Sequence, residues 1–219
     1  MHTFYDFITG PLLWISFLVF LAGSVYRLVY AYMEAKSRDQ FVLVYWSWKH
    51  VLRSFARWLV PYGTMRWRTT PVLTAVTFVF HILIIVVPIF LTAHVILFNQ
   101  WLGISWPSLP EALADILAIV VVLCCGYFIW RRWVTPEVRY VTGWQDWFMI
   151  GTVLATFLSG VLAYHQIGPY QIMLILHILA GEAFLVMIPF TRAEHMLYGL
   201  FMRGYIASEF GAVRHCKDW

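Results

Sequence analysis

Five apolar runs constrain this chain more than any other feature of its sequence. They lie at about 10–32, 71–99, 112–130, 145–164 and 171–191. Each run is long enough to cross the hydrocarbon core of a bilayer as one helix, which takes about 20 residues. The sequence shows no domain boundary and no internal repeat. It therefore predicts an all-α fold, a bundle of five transmembrane helices that forms a single membrane domain over residues 1–219.

Composition supports a membrane protein and excludes several function classes. Hydrophobic residues make up 62% of the chain and charged residues only 12%, which no soluble domain with a normal polar surface would show. The formal net charge of +4 does not indicate a nucleic-acid partner, because the basic residues are separated by topology. The three cysteines form no CxxC or CxxCH motif, which argues against covalent haem and against an iron–sulfur cluster in this chain.

The distribution of Lys and Arg predicts the orientation. Basic residues fall in the segments 36–68, 131–139 and 192–217, and Arg27 lies in the last turns of the first run, on the same side. The external segments contain none: 1–10, 99–111 and 164–171. By the positive-inside rule, the N-terminus is expected outside and the C-terminus in the cytoplasm. The N-terminus also lacks a basic n-region, so we expect an uncleaved first helix in a multi-pass protein of the bacterial inner membrane.

The first cytoplasmic connection is expected to be more than a loop. Residues of about 42–60 alternate aromatic and basic side chains, and Lys49, Arg53 and Arg57 recur every four residues. This pattern predicts an interfacial amphipathic helix with its aromatic side toward membrane lipid. Its basic side would face lipid headgroups or a protein partner, and the sequence leaves both interpretations open.

Four histidines lie on two of the predicted helices, two on each, and the last of them follows the fifth run by four residues. His177 and His195 are 18 residues apart, close to five helical turns, so they share a helix face and lie roughly 27 Å apart along the axis. His81 and His94 are 13 residues apart, with Pro88 between them to kink the helix. Ionisable groups are costly in lipid and indicate function by default.

Topology pairs these histidines by depth. If the second and fifth helices are antiparallel neighbours, His81 lies opposite His195 near the cytoplasm and His94 opposite His177 near the outside. Neutral imidazole is a strong axial ligand of haem iron, and two of them leave no open coordination position. The pattern predicts two bis-histidine haem b groups that carry electrons across the membrane. No residue for substrate-level catalysis is visible, so whether the chain is itself an enzyme stays open.

Three further ionisable residues lie at membrane depth. Arg27 and Arg192 are candidates for contacts with haem propionates, although snorkelling to headgroups would explain them equally. Glu182, near the middle of the fifth run, is expected to be either a hydrogen-bonded structural acid or part of a proton path.

The segment Pro189-Phe190-Thr191-Arg192-Ala193-Glu194-His195, with the 18-residue spacing that it completes, is the most specific motif of the chain. With the five runs and the arginine pair that closes the third, the chain resembles the gamma-subunit family of respiratory nitrate reductase, the NarI-like membrane cytochromes b. It resembles more closely the cytochrome b subunits of the Tmc, Hmc and Dsr redox complexes of sulfate-reducing bacteria. The resemblance covers nearly the whole chain. It implies that His81 and His195 hold the cytoplasmic-side haem b, and that His94 and His177 hold the outer one.

The resemblance also implies partners. Such a subunit of a respiratory redox complex passes electrons between a periplasmic multihaem cytochrome c or the quinone pool and a cytoplasmic iron–sulfur protein. Menaquinone is a candidate second ligand, but the segment 99–106 lacks the lysine that nitrate reductase gamma subunits use for quinol. The His81–His94 spacing is also longer than in those subunits. The alternative is a haem-free membrane anchor or a small proton or metal transporter, although the sequence lacks the internal repeats typical of transporters.

Overall fold

The computed structural model describes residues 2–41 and 43–218. It is 83% helical and has no strand among those residues, which confirms the all-α class. Five helices in the described part are long and apolar enough to cross a membrane: Thr3–Arg38, Pro71–Phe90, Glu111–Val134, Trp144–Tyr164 and Tyr170–Phe190. These five helices indicate a multi-pass membrane protein, as the apolar runs predicted.

The described part contains eleven α-helices, several of them short. In chain order they are α1 (His2–Phe7), α2 (Leu13–Arg38), α3 (Trp48–Leu59), α4 (Met65–Thr69), α5 (Pro71–Phe90), α6 (Thr92–Leu102), α7 (Glu111–Val134), α8 (Pro136–Val141), α9 (Trp144–Tyr164), α10 (Tyr170–Met187) and α11 (His195–Ser208). Two π-helical segments, Ile8–Leu12 and Glu209–Val213, and two 3₁₀ turns, Ile188–Phe190 and Arg192–Glu194, lie between or after them. The first span is longer than its predicted limits of 10–32.

The second predicted span, 71–99, is broken into two helices. α5 ends at Phe90, Leu91 adopts an extended conformation (φ −70°, ψ 129°), and α6 begins at Thr92. Pro88 lies one turn before the break and has no N–H to continue the helical ladder. The sequence predicted that Pro88 would kink or locally unwind this run, and the break at Leu91 changes the direction in which the second half of the run presents its side chains.

The chain divides into two compact units. The first comprises Met1–Leu13 and Val76–Phe184, and the second comprises Trp14–Ala75 and Leu185–Trp219. Within the first unit α7 packs against α9. Val121 and Cys125 of α7 and Val153 and Phe157 of α9 are buried. The members of each pair are four residues apart, so each helix contributes one face to this core.

The second unit is built on the packing of α3 against α11. Gly204 lies against the indole of Trp46, and Gly211 lies against the His50 ring; a Cβ at either glycine would come within 2.3 Å of the ring. Only glycine allows such close approach. The Ser47 N–H also donates to Ser208 Oγ at 3.0 Å, so the start of α3 is fixed to α11 by both shape and hydrogen bonding.

The predicted interfacial helix at about 42–60 corresponds to α3, which is shorter; Val42 lies outside the described residues. Val51 and Ser54 of α3 are buried. The basic residues Lys49, Arg53 and Arg57 are exposed, as are the apolar residues Trp48, Leu52 and Leu59. The amphipathic pattern is therefore present, but α3 also has a third face that is buried in the protein.

Candidate functional site

The four intramembrane histidines share one hydrogen-bonding arrangement. In each of them Nδ1 lies 2.8 Å from a backbone carbonyl oxygen. The pairs are His81 with Thr77, His94 with Pro88, His177 with Thr156, and His195 with Arg192. A carbonyl oxygen can only accept a hydrogen bond, so the network assigns the ring proton to Nδ1. Nε2 then carries the lone pair, which is the tautomer of histidines that bind a metal through Nε2.

The other two histidines whose hydrogen bonds are known differ from this pattern. His50 Nδ1 lies 2.8 Å from the hydroxyl of Ser47, which can donate or accept. His165 uses Nε2, which lies 3.0 Å from each carboxylate oxygen of Asp115. The hydrogen bonds of these two histidines therefore do not fix Nε2 as the nitrogen with the lone pair.

The broken second span places His94. The break frees the carbonyl oxygens of Pro88, Ile89 and Phe90 from the helical ladder, and buried or half-buried backbone groups need other partners. His94 Nδ1 donates to the Pro88 oxygen, the Trp106 indole N–H donates to the Ile89 oxygen, and the Leu109 N–H donates to the Phe90 oxygen, all at 2.8 Å. The segment after α6 thus closes the break, and His94 is one of the three donors that do so.

His177 is placed by α9. Its Nδ1 donates to the Thr156 carbonyl oxygen, and its ring lies against Gly160, one helical turn further on. A Cβ at Gly160 would come within 2.9 Å of Nδ1 and 3.0 Å of Cε1. Glycine at this position therefore allows the imidazole to approach the α9 backbone closely.

The structure brings His94 and His177 together. Their ring centroids are 6.0 Å apart and the ring planes differ by 24°. Both residues lie in the first unit, on α6 and α10. An ideal helix would leave His81 and His94 about 140° out of phase. Because Pro88 lies between them and disturbs the helix, their 13-residue spacing did not fix the direction of His94.

His81 and His195 belong to different units, and each is described within its own. His81 lies on α5, one turn after Thr77. His195 begins α11 directly after the 3₁₀ turn Arg192–Glu194, which is capped by Thr191 because its hydroxyl accepts from the Ala193 N–H. The argument from the 18-residue spacing assumed one continuous α-helix from His177 to His195. In the structure that helix is interrupted, because Thr191 is extended between the two 3₁₀ turns. The side chains of His81 and His195 are both exposed.

Arg27 has a partner that the sequence did not reveal. Its guanidinium forms an ion pair with the carboxylate of Glu194, the residue before His195. The Tyr198 ring lies 5.9 Å from the guanidinium carbon, and its hydroxyl donates to the Arg27 carbonyl oxygen at 3.1 Å. Arg192, the other propionate candidate, is exposed. The pairing was hidden because its two members are 167 residues apart.

Glu182 lies on α10 and is only 4% exposed. Neither of its carboxyl oxygens has a hydrogen-bond partner among the described residues. Over residues 2–41 and 43–218, no group of three or more His, Cys, Asp or Glu side chains is arranged to hold a metal ion.

The chain is 34% identical to a protein of Nitratidesulfovibrio vulgaris strain Hildenborough over 214 residues, which make up 96% of this chain and 95% of that protein. The relative is described only as "Protein", which assigns it no activity. No family model and no solved structure matches the chain. The similarity therefore covers nearly the whole length of both chains.

Proposed function

The chain belongs to the same family as the Nitratidesulfovibrio vulgaris protein, and we propose that it is a dihaem cytochrome b subunit of a membrane-bound respiratory redox complex. One observation carries the proposal. All four intramembrane histidines direct Nδ1 to a backbone carbonyl at 2.8 Å and so keep Nε2 as a lone-pair donor. The bonds of His94 and His177 reach carbonyl oxygens outside their own helices, so they also fix the orientation of the two rings.

The donor set at the outer position fits a haem iron. A metal–imidazole bond is about 2 Å long, so two imidazoles on opposite sides of one iron have ring centres about 6 Å apart once a ring radius of about 1 Å is added for each. The rings of His94 and His177 are 6.0 Å apart. Gly160 provides the close backbone approach that holds one ring, and the Pro88 carbonyl holds the other. His94 and His177 would therefore hold the outer haem b.

The second pair stays a prediction of the topology. His81 and His195 would hold the cytoplasmic-side haem b, and both have the same Nδ1 arrangement as the outer pair. A haem iron with two axial imidazoles exchanges single electrons and has no open position for a substrate. The residues of this chain would then bind and orient the iron centres and keep water from them, and substrate chemistry would belong to other subunits.

Orientation and partners are proposed on the distribution of charge. The basic segments 36–68, 131–139 and 192–217 place the C-terminus in the cytoplasm and the N-terminus outside, in a bacterial inner membrane. A cytoplasmic iron–sulfur protein would dock on the connection 41–68 and on the part after residue 195. A periplasmic multihaem cytochrome c, or the quinone pool through menaquinone, would exchange electrons at the outer haem. The relative comes from a sulfate reducer, which agrees with the cytochrome b subunits that the sequence resembles.

The test is a reduced-minus-oxidised spectrum of the purified chain, with haem quantified per polypeptide. We expect two b-type haems in the wild type. His94→Ala and His177→Ala should each remove the same one of the two signals. His165→Ala is the matched control, because its Nε2 is engaged by Asp115 and it should keep both haems.

Full haem content in both His94→Ala and His177→Ala would refute the assignment of the outer site. A folded protein without any haem would refute the electron-transfer function. It would favour the haem-free anchor or the small proton or metal transporter.

A further inference from the structure

Glu182 is a buried carboxyl group without a partner. It lies on α10 in the fifth span, it is 4% exposed, and both carboxyl oxygens lack a hydrogen-bond partner among the described residues. Buried carboxylates in proteins are normally paired or accept hydrogen bonds, because an isolated buried charge is far more costly than a buried neutral group. A carboxyl group in these surroundings avoids that cost by binding a proton.

The described residues of the first unit contain few cationic side chains. Its Lys and Arg residues are confined to Arg131, Arg132 and Arg139, at or beyond the last turn of α7. The residue before Glu182 contacts α9, since a Cβ at Gly181 would lie 3.9 Å from Thr156 Cγ2. The ionisable residues of α9 are at its two ends. Midway along the other helices of the unit, the ionisable residues include no Lys, Arg, Asp or Glu. They are His81, His94, Cys124, Cys125 and Tyr127.

We propose that Glu182 is a redox-linked proton site, which takes up a proton when the outer centre gains an electron and releases it when the electron leaves. The inference rests on the proposed function of His177. Glu182 follows His177 by five residues on the same helix, which is about 7.5 Å along the axis. The two side chains also leave the helix about 140° apart, so their separation is larger than this rise. Inside protein and lipid a change of one charge is screened less than in water, so it still acts on the carboxyl group.

The sign of the coupling follows from charge. An oxidised iron centre carries one more positive charge than a reduced one, so it favours the carboxylate form of Glu182. Reduction removes that charge and favours the carboxylic acid. One electron enters from the redox partner, one proton enters from water, and an O–H bond forms on the carboxylate. Oxidation reverses the step, so charge and atoms balance without a further reactant.

The decisive experiment is a potentiometric titration of the outer centre over the neutral pH range, in the wild type and in Glu182→Gln. The wild-type midpoint potential should fall as pH rises, by up to about 59 mV for each tenfold change in proton activity. Glu182→Gln, which has the same shape as the protonated acid, should keep its haem and lose the pH dependence. Glu137→Gln on α8 is the matched control: its carboxylate is exposed, and its substitution should leave the wild-type slope unchanged.

An infrared spectrum gives a second readout that needs no haem. At neutral pH the C=O stretching band of a protonated carboxylic acid should be present in the reduced or haem-free wild type and in Glu137→Gln in the same state, and absent in Glu182→Gln. A wild type without this band would overturn the proton site. A wild type that binds haem but has a midpoint independent of pH would overturn the redox link while leaving the proposed function intact. A protein without haem would instead overturn the proposed function, together with the link.

Discussion

The imidazole of His177 lies directly against Gly160 of α9, where a Cβ would come within 2.9 Å of Nδ1. The ring also donates to the Thr156 carbonyl oxygen, one turn earlier on the same helix. Gly160 therefore allows the imidazole of His177, a candidate ligand, to contact the backbone of α9. The following predictions address this contact and three others.

Gly160→Ala should displace the His177 ring and reduce the outer b-type signal. The added methyl group overpacks the contact, which costs about 1–3 kcal/mol. Gly151→Ala is the matched control on the same helix, because a Cβ there meets no described atom within 4 Å. It should leave both haems in place and raise helix stability slightly, by roughly 0.5–1 kcal/mol. Haem stoichiometry and thermal unfolding in detergent measure the two effects; equal haem loss in both variants would show that the Gly160 contact is not specific.

Trp106→Phe should destabilise the break between α5 and α6 in the second span, because it removes one of the hydrogen bonds to the carbonyl oxygens at that break. It keeps an aromatic ring but removes the indole N–H that donates to the Ile89 oxygen, so we expect a loss of about 1 kcal/mol in stability. The outer centre should respond as well, with a shifted midpoint potential, because His94 donates to the neighbouring carbonyl of the same break. Trp144→Phe, at the exposed start of α9, is the control. An unchanged outer centre in Trp106→Phe would mean that His94 is held independently of this segment.

The Arg27–Glu194 ion pair should show measurable coupling in a double-mutant cycle. Its side chains are 31% and 29% exposed, and we expect about 1 kcal/mol from the pair Arg27→Gln and Glu194→Gln. The exposed pair of Arg38 and Glu34, at 80% and 43% exposure, should give a smaller coupling energy, because solvent screens it more. Chemical unfolding in detergent measures both cycles, and equal coupling energies would contradict the expected role of burial.

Asp218→Asn should loosen the packing of α3 in the second unit. The Asp218 carboxylate is only 3% exposed; it lies 2.9 Å from the Arg203 guanidinium and accepts from Ser54 Oγ at 2.5 Å. The substitution leaves the Arg203 charge largely buried without its counter-ion, so we expect a loss of about 2–3 kcal/mol. Asp39→Asn, in an exposed connection, should change stability by less than about 0.5 kcal/mol.

Limited proteolysis of the segment 46–59 would report the loosening of α3 from α11. Both haem signals should persist in Asp218→Asn under conditions where the protein is folded, because this contact involves neither histidine of the outer pair. A variant that resists proteolysis as the wild type does would show that the carboxylate does not hold α3 in place.

The sequence by itself determined the fold class of the protein. Hydrophobic run length is a local property, so five apolar segments predicted five spans without knowledge of their packing. The depth of the histidines and the orientation stay predictions from the same runs and from the placement of Lys and Arg. The predicted boundaries were least accurate in the second run, where Pro88 made the helix phase uncertain and where Leu91 interrupts the helix.

Only the tertiary structure decided how the candidate site is assembled. The direction of His94 depends on a break closed by Trp106 and Leu109, and the position of His177 depends on Gly160 of another helix. The partner of Arg27 is 167 residues away in the chain. Such contacts are set by which helices become neighbours and how closely their backbones approach. Local periodicity carries no information on that approach, because the same apolar faces are compatible with many packings.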